Sequence, residues 1–129
     1  MYKYEIGSKV YEQKALVWGQ VQQLTNLLTG LAFSSDMTPV EMVGIIGDKM
    51  PVALAIVLTE QGKSPRGKNL TELAEELAFD TSVEMVVKII EDFFDCNPTA
   101  LYLEKISKLV GNVTKQVNQE ITLPESPSS

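Results

Sequence analysis

The chain has no histidine and only one cysteine, Cys96, among its 129 residues. Without imidazole there is no ordinary general base near neutral pH, no Ser-His or Cys-His couple, and no common zinc ligand set. One thiol cannot close an internal disulfide or build a cysteine metal cage, which fits a reducing compartment. Basic residues are few and scattered: 11 Lys and Arg stand against 17 Asp and Glu, for a net charge of −6. Phosphate backbones attract clustered cations, so nucleic acid is not an expected partner. Long apolar runs are lacking too. The longest, Met50 to Leu58, is far short of the ~20 residues of a membrane-spanning helix and reads as a core segment, so no membrane is expected. The opening Met1-Tyr2-Lys3-Tyr4-Glu5-Ile6 has no apolar stretch of secretory type, and a cytoplasmic location is the expectation.

What is present is globular. Apolar residues make up 44% and charged residues 22%, a balance that buries a core without being membrane-like or disordered. The length suits one domain. The expectation is a mainly α chain: a compact multi-helix domain of about five to six helices with a small N-terminal β-hairpin. That domain covers residues 1–118 with the hairpin over 2–12, and residues 119–129, which include Pro124-Glu125-Ser126-Pro127, form a disordered polar tail.

The hairpin is read from alternation. Tyr2-Lys3-Tyr4-Glu5-Ile6 and Lys9-Val10-Tyr11-Glu12 flank Gly7-Ser8, and a Gly-first two-residue loop suits a type II′ turn. Such a hairpin is marginal alone, so it must pack on helices or pair with another chain's edge. From Leu16 the period changes: Val17, Val21, Leu24, Leu27, Leu28 and Leu31 recur at spacings of three and four, an amphipathic helix ending near Gly30. Three later helix starts carry a small polar residue with Glu three positions on, the reciprocal cap of two backbone donors. They are Thr38-Pro39-Val40-Glu41, Asn69-Leu70-Thr71-Glu72 and Thr81-Ser82-Val83-Glu84, the first with Pro where a missing N–H costs nothing. Asn97-Pro98 repeats the cap-then-proline pattern and starts a last helix through Tyr102, Ile106, Leu109 and Val110. Gly47-Asp48 divides a short helix from Val52–Leu58, which is strand-like in composition but tipped toward helix by two alanines and Pro51 in its first turn. The run 61–69 is a loop whose lysines keep it solvated.

The segment Ser82 to Pro98 is the most distinctive. Glu84, Lys88, Glu91, Asp92 and Asp95 fall at steps that put them on one face about 100° wide, and the rest of the helix is apolar. It must be covered on more than one side, and, its Phe93-Phe94 end apart, is expected to be the domain's central support.

No residue is nominated as catalytic, cofactor-binding or metal-binding, and the chain is not expected to be an enzyme or to need a cofactor. Glu75-Glu76 and Glu91-Asp92 are the densest carboxylates, but neighbours on a helix point apart and share no site. Cys96 beside Asn97-Pro98 can be a reactive thiol or a small buried apolar residue; Asp92 and Asp95 disfavour its thiolate. Gly62-Lys63-Ser64 imitates the end of a phosphate loop without the earlier glycine or strand. Gly44 and Gly47 read as packing or helix-end residues. Surfaces remain. Met42, Met50 and Met85 suit either core filling or an adaptable partner surface. The rings of Phe93 and Phe94 face about 100° apart, so either each packs on a different helix or one anchors a partner. These five residues are the candidate partner-binding set.

The order of Tyr4–Tyr11, Gly19–Leu24, Ala53–Leu58, Leu70–Ala74 and above all Val86–Asn97 resembles the tail assembly chaperones of long-tailed bacteriophages, over roughly residues 4 to 110. The resemblance implies a small, mostly helical protein of the infected host's bacterial cytoplasm that coats the tape-measure protein and keeps it soluble until tail tube subunits polymerise around it. It names the tape-measure protein as partner, with the tail tube protein and self-association as further possibilities. A structural tail component or a helical adaptor without catalytic activity shares the same composition.

Overall fold

The computed structural model describes residues 1–34 and 36–98. In chain order these form β1 (Tyr2–Ile6), β2 (Lys9–Gln13), α1 (Trp18–Leu28), α2 (Pro39–Ile46), a 3-10 turn (Gly47–Lys49), α3 (Met50–Val57), β3 (Thr59–Glu60), α4 (Leu70–Asp80) and α5 (Val83–Cys96). The described residues are mainly helical with an N-terminal hairpin, as the periodicity implies. Among the described residues α2, the 3-10 turn and α3 follow one another without a loop, so the five labelled helices make four separate helical units, fewer than the expected five to six. Asn97 is described as the residue that ends α5, its N–H donating to Phe93 O at 2.9 Å; the expected last helix beyond Pro98 and the polar tail 119–129 lie outside the described residues.

The hairpin closes through Gly7-Ser8, with Ile6 opposite Lys9, Tyr4 opposite Tyr11 and Tyr2 opposite Gln13. Gly7 has φ +63°, the left-handed conformation that primed turns demand at their first position. A third strand was not foreseen. β3 pairs antiparallel with β2 through Tyr11–Glu60 and Glu12–Thr59, giving the sheet order β1-β2-β3. Two residues of strand carry no period of their own, and only the chain leaving α3 in extended conformation at Leu58 brings them to β2.

The caps explain the helix starts. Thr38 Oγ1 accepts from Glu41 N–H at 3.2 Å and Glu41 Oε1 accepts from Thr38 N–H at 3.2 Å, with Pro39 in the first turn. Asn69 Oδ1 accepts from Glu72 N–H at 3.1 Å. The third start is displaced by one residue: Ser82, not Thr81, caps α5, its Oγ accepting from Met85 N–H at 3.1 Å. The reason is that α4 and α5 abut. Thr81 N–H still donates to Leu77 O at 3.1 Å and so terminates α4, leaving Ser82 as the first residue able to begin the next helix. In α1, Val17 is the exposed residue before the first turn and not a core position; Leu24 is buried, with Leu27 and Leu28 packed beside it.

The central helix is α3. Met50, Ala53, Leu54, Ala55, Ile56 and Val57 are all buried, and Leu58 follows them. A helix apolar on every face has no side to give to water, and α4 and α1 cover it. The expectation that Ser82–Pro98 is the central support is therefore corrected. α5 is a peripheral amphipathic helix that inserts Val86, Ile89 and Ile90 into the core.

Lys68 corrects another expectation. Its ammonium turns inward from the 61–69 loop and donates to the carbonyls of Ala55 (3.0 Å), Ile56 (3.0 Å) and Leu58 (2.7 Å). Because α3 runs directly into β3, no glycine cap serves its last carbonyls. Gln20 Nε2 donates to Ile56 O at 2.8 Å from the other side. Burial pushes the Lys68 ammonium down to about 8.

Candidate functional site

The polar strip of α5 does not all face water. Asp92 is 4% exposed, although Glu91 and Asp95 on the same strip are exposed. Its two oxygens are both held: Oδ2 accepts from the Tyr4 hydroxyl at 2.8 Å and Oδ1 from Lys88 Nζ at 2.7 Å. The Tyr4 oxygen in turn accepts from Gln13 Nε2 at 2.8 Å, and that amide also donates to Ile89 O at 3.1 Å. Tyr2 donates to Asp95, and the Lys88 ammonium lies 5.4 Å from the Tyr2 ring centre. Strand alternation puts Tyr2 and Tyr4 on one face about 7 Å apart, and helical spacing puts Asp95 and Asp92 on one face about 5 Å apart. The two rows meet tyrosine to carboxylate, with α5 running against β1. Burial first, then the bond to Asp92, raises the Tyr4 hydroxyl well above its ordinary range, while the bond to Asp95 pushes Tyr2 up to about 12. The network ties the hairpin to the helix; its chemistry is that of a structural lock.

The five nominated residues fall into two places. Met50 is 8% exposed and belongs to the core at the start of α3. Met42 on α2 and Met85, Phe93 and Phe94 on α5 are half-buried and pack on the core's edge. Since α2 and α5 pack on each other, these four sit on one helix pair. Phe93 and Phe94 meet edge to face, ring centres 5.3 Å apart and planes at 86°, a favoured aromatic geometry. Each ring thus finds a partner in the other as well as in the core.

The strongest exposed apolar side chains are ones that sequence reasoning passed over. Phe79 on α4 is 88% exposed and Trp18 at the start of α1 is 72% exposed. Val83 and Val17 lie close to them in sequence and are exposed as well, as are Val40 and Ile45 on the outer face of α2. A signal was present for Phe79. It lies two residues after the buried Leu77, and such a step points nearly opposite on a helix. Trp18 carried no such signal, because the register of α1's first turn depends on where Gln20 docks. There Gln20 Oε1 accepts from Val17 N–H at 3.1 Å, as its amide reaches Ile56.

One open cleft of about 320 Å³ lies between β2, β3, the 61–69 loop and the start of α4. Its charges answer one another: Lys9 pairs with Glu60 at 3.7 Å and with Glu76 at 3.4 Å, and Lys63 with Glu60 at 3.4 Å. Elsewhere, Cys96 is half-buried, its Sγ 3.7 Å from Gln13 O, and burial pushes its thiol up. Gly47 ends α2 at φ +55°, while a side chain at Gly44 would meet open space, so the helix-end role holds for Gly47. Among the described residues no group of acids and cysteine is arranged to hold a metal ion, and no helix is long and apolar enough to cross a membrane. Comparison with family models, with curated proteins and with solved structures finds no match for this chain.

Proposed function

We propose that this chain is a holding chaperone for a long helical client, and that the client is a phage tape-measure protein, as the resemblance of its sequence to tail assembly chaperones implies. The observation that carries the reading is the exposure of large apolar side chains on helices: Trp18, Val40, Phe79 and Val83 all stand mostly in water. Exposed rings on a folded domain mark surfaces that gain from a partner. The half-buried Met42, Met85, Phe93 and Phe94 add adaptable apolar area along α2 and α5. A net charge of −6 opposes clumping of the loaded chaperone. An amphipathic client helix laid on such a surface would bury its own stripe against it.

Co-expression with the tape-measure protein tests the reading. The chain is expected to move that protein into the soluble fraction, and Trp18→Ser with Phe79→Ser is expected to reduce the soluble share while leaving this fold intact. Phe94→Ala is expected to weaken the effect; a folded variant with unchanged holding would remove Phe94 from the contact surface. Mass spectrometry of purified particles supplies the other arm. A chaperone leaves before completion, so stoichiometric amounts of this chain in finished virions would make it a structural tail component instead.

A further inference from the structure

We propose that β1 is a dimerisation edge, at which two copies of this chain pair antiparallel about Tyr4, setting Lys3 of each copy opposite Glu5 of the other. The sheet order leaves the outer side of β1 without a strand among the described residues. Which groups face that side follows from the hairpin. A two-residue loop closes on a hydrogen-bonded pair, here Ile6 with Lys9, so Tyr2, Tyr4 and Ile6 direct their backbone groups toward β2. Val10 confirms the alternation from the other strand: its carbonyl accepts from Gln61 N–H at 2.8 Å, on the β3 side. Val10 stands opposite Glu5 and Glu12 opposite Lys3. Lys3 and Glu5 therefore direct their N–H and C=O groups to the open edge.

An edge of this kind templates another strand unless something prevents it. The charges select which strand. Antiparallel pairing of β1 with a second β1 can join outward groups in three ways: Lys3 with Lys3, Glu5 with Glu5, or Lys3 with Glu5. The first two set like charges directly opposite, which destabilises; the third makes two opposite-charge pairs and satisfies the backbone groups of both residues in both copies. That register also keeps the pleat. Tyr4 meets Tyr4 and Tyr2 meets Ile6, residues that all lie on the half-buried or buried side of β1, while both charge pairs lie on the exposed side. Glu5 has no ion pair among the described residues, and Lys3 reaches Glu12 of its own hairpin at 3.9 Å with half its side chain in water. The self-complementary Tyr2-Lys3-Tyr4-Glu5-Ile6 thus fits a second copy of itself better than an arbitrary strand. The product is a continuous six-stranded sheet with α5 of both copies on one face.

Amide exchange on the full wild-type chain, read by NMR alongside sedimentation equilibrium, tests the proposal. Tyr4 and Ile6 amides are expected to be protected at every concentration, and those of Lys3 and Glu5 to become protected only as the dimer forms. Fast exchange at Lys3 and Glu5 throughout, with a monomer in sedimentation, overturns the proposal; protection of both amides in a monomer also overturns it, by showing the edge covered within the chain. Glu5→Lys turns both charge pairs into like pairs and is expected to raise the dimer dissociation constant by about tenfold. Glu5→Lys mixed with Lys3→Glu restores both pairs and is expected to form a heterodimer. A Glu5→Lys dimer as tight as wild type would sink the register. A monomeric chain that still solubilises its client would remove the dimer alone.

Discussion

Replacing Tyr4 by Phe removes one hydroxyl and tests the lock between the hairpin and α5. That hydroxyl donates to Asp92 Oδ2 and accepts from Gln13 Nε2, both at 2.8 Å. Asp92 is 4% exposed, so water cannot take the vacated place without a rearrangement of the sheet. Lys88 occupies only the other oxygen, and more than half of its own side chain is in water, so it cannot compensate fully. Gln13 keeps its bond to Ile89 O and loses less. A hydrogen bond to a buried charged group is worth about 1.5–3 kcal/mol, and the variant is expected to lose about 2 kcal/mol. Urea unfolding followed by circular dichroism should then show the midpoint falling by roughly 1–2 M at unchanged slope. The pH dependence gives a second readout. The folded Tyr4 hydroxyl titrates above its ordinary value of 10.0, so its contribution is complete below pH ~10 and is lost as pH rises toward the folded value. The gap between wild type and variant should therefore narrow above pH ~10. Tyr2→Phe is the control: its bond to Asp95 lies at the surface, where water replaces the lost partner, and a clearly smaller midpoint shift than that of Tyr4→Phe is expected. A Tyr4→Phe variant within ~0.5 kcal/mol of wild type would refute the reasoning, since Asp92 would then have to be solvated.

Lys68→Met keeps the aliphatic stem but strips the last carbonyls of α3 of their ammonium; with three such bonds lost and Gln20 still on Ile56, a loss of about 2–3 kcal/mol is expected in the same unfolding assay. Ser82→Ala should cost about 1 kcal/mol through its cap, measured against Thr81→Ala, whose side chain caps no helix and whose replacement should cost less. Gly7→Ala forces a side chain into φ +63° with its Cβ 2.9 Å from Asp80 Oδ2, and a loss of about 1–2 kcal/mol is expected from calorimetry; an unchanged melting temperature would count against the turn geometry.

Much of this architecture is written locally. Thr38-Pro39 with Glu41, and Asn69 with Glu72, announce helix starts because each cap is made within four residues, so tertiary packing has little chance to override it. The hairpin is legible for the same reason, with alternation on both sides of Gly7-Ser8. What escaped the reading depends on contacts far apart in sequence. Lys68 looks like a solvated loop lysine until α3 is seen to end at Val57 without a glycine, leaving carbonyls as far back as Ala55, thirteen residues before it, for its ammonium to meet. β3 exists only because Leu58 points the chain at β2.

The acidic strip of α5 shows the limit most clearly. Composition marks Glu91, Asp92 and Asp95 as one polar face, and a polar face is normally assigned to water. Only the tyrosines of β1, 88 residues away along the chain in the case of Tyr4 and Asp92, decide that one carboxylate of the three goes inside. A tyrosine on the inward side of a strand brings a hydroxyl that needs a partner. That need can be met by carboxylates at helical spacing on a helix running against the strand. With part of α5's strip consumed by the hairpin, the helix sends Val86, Ile89 and Ile90 inward and needs no cover over its remaining charged edge. The apolar helix side chains left in water are Phe79 on α4, Trp18 on α1, Val40 and Ile45 on α2 and Val83 at the start of α5, on four different helices. Covering them takes contacts on each of those helices, which the Phe93-Phe94 end of α5 alone does not offer.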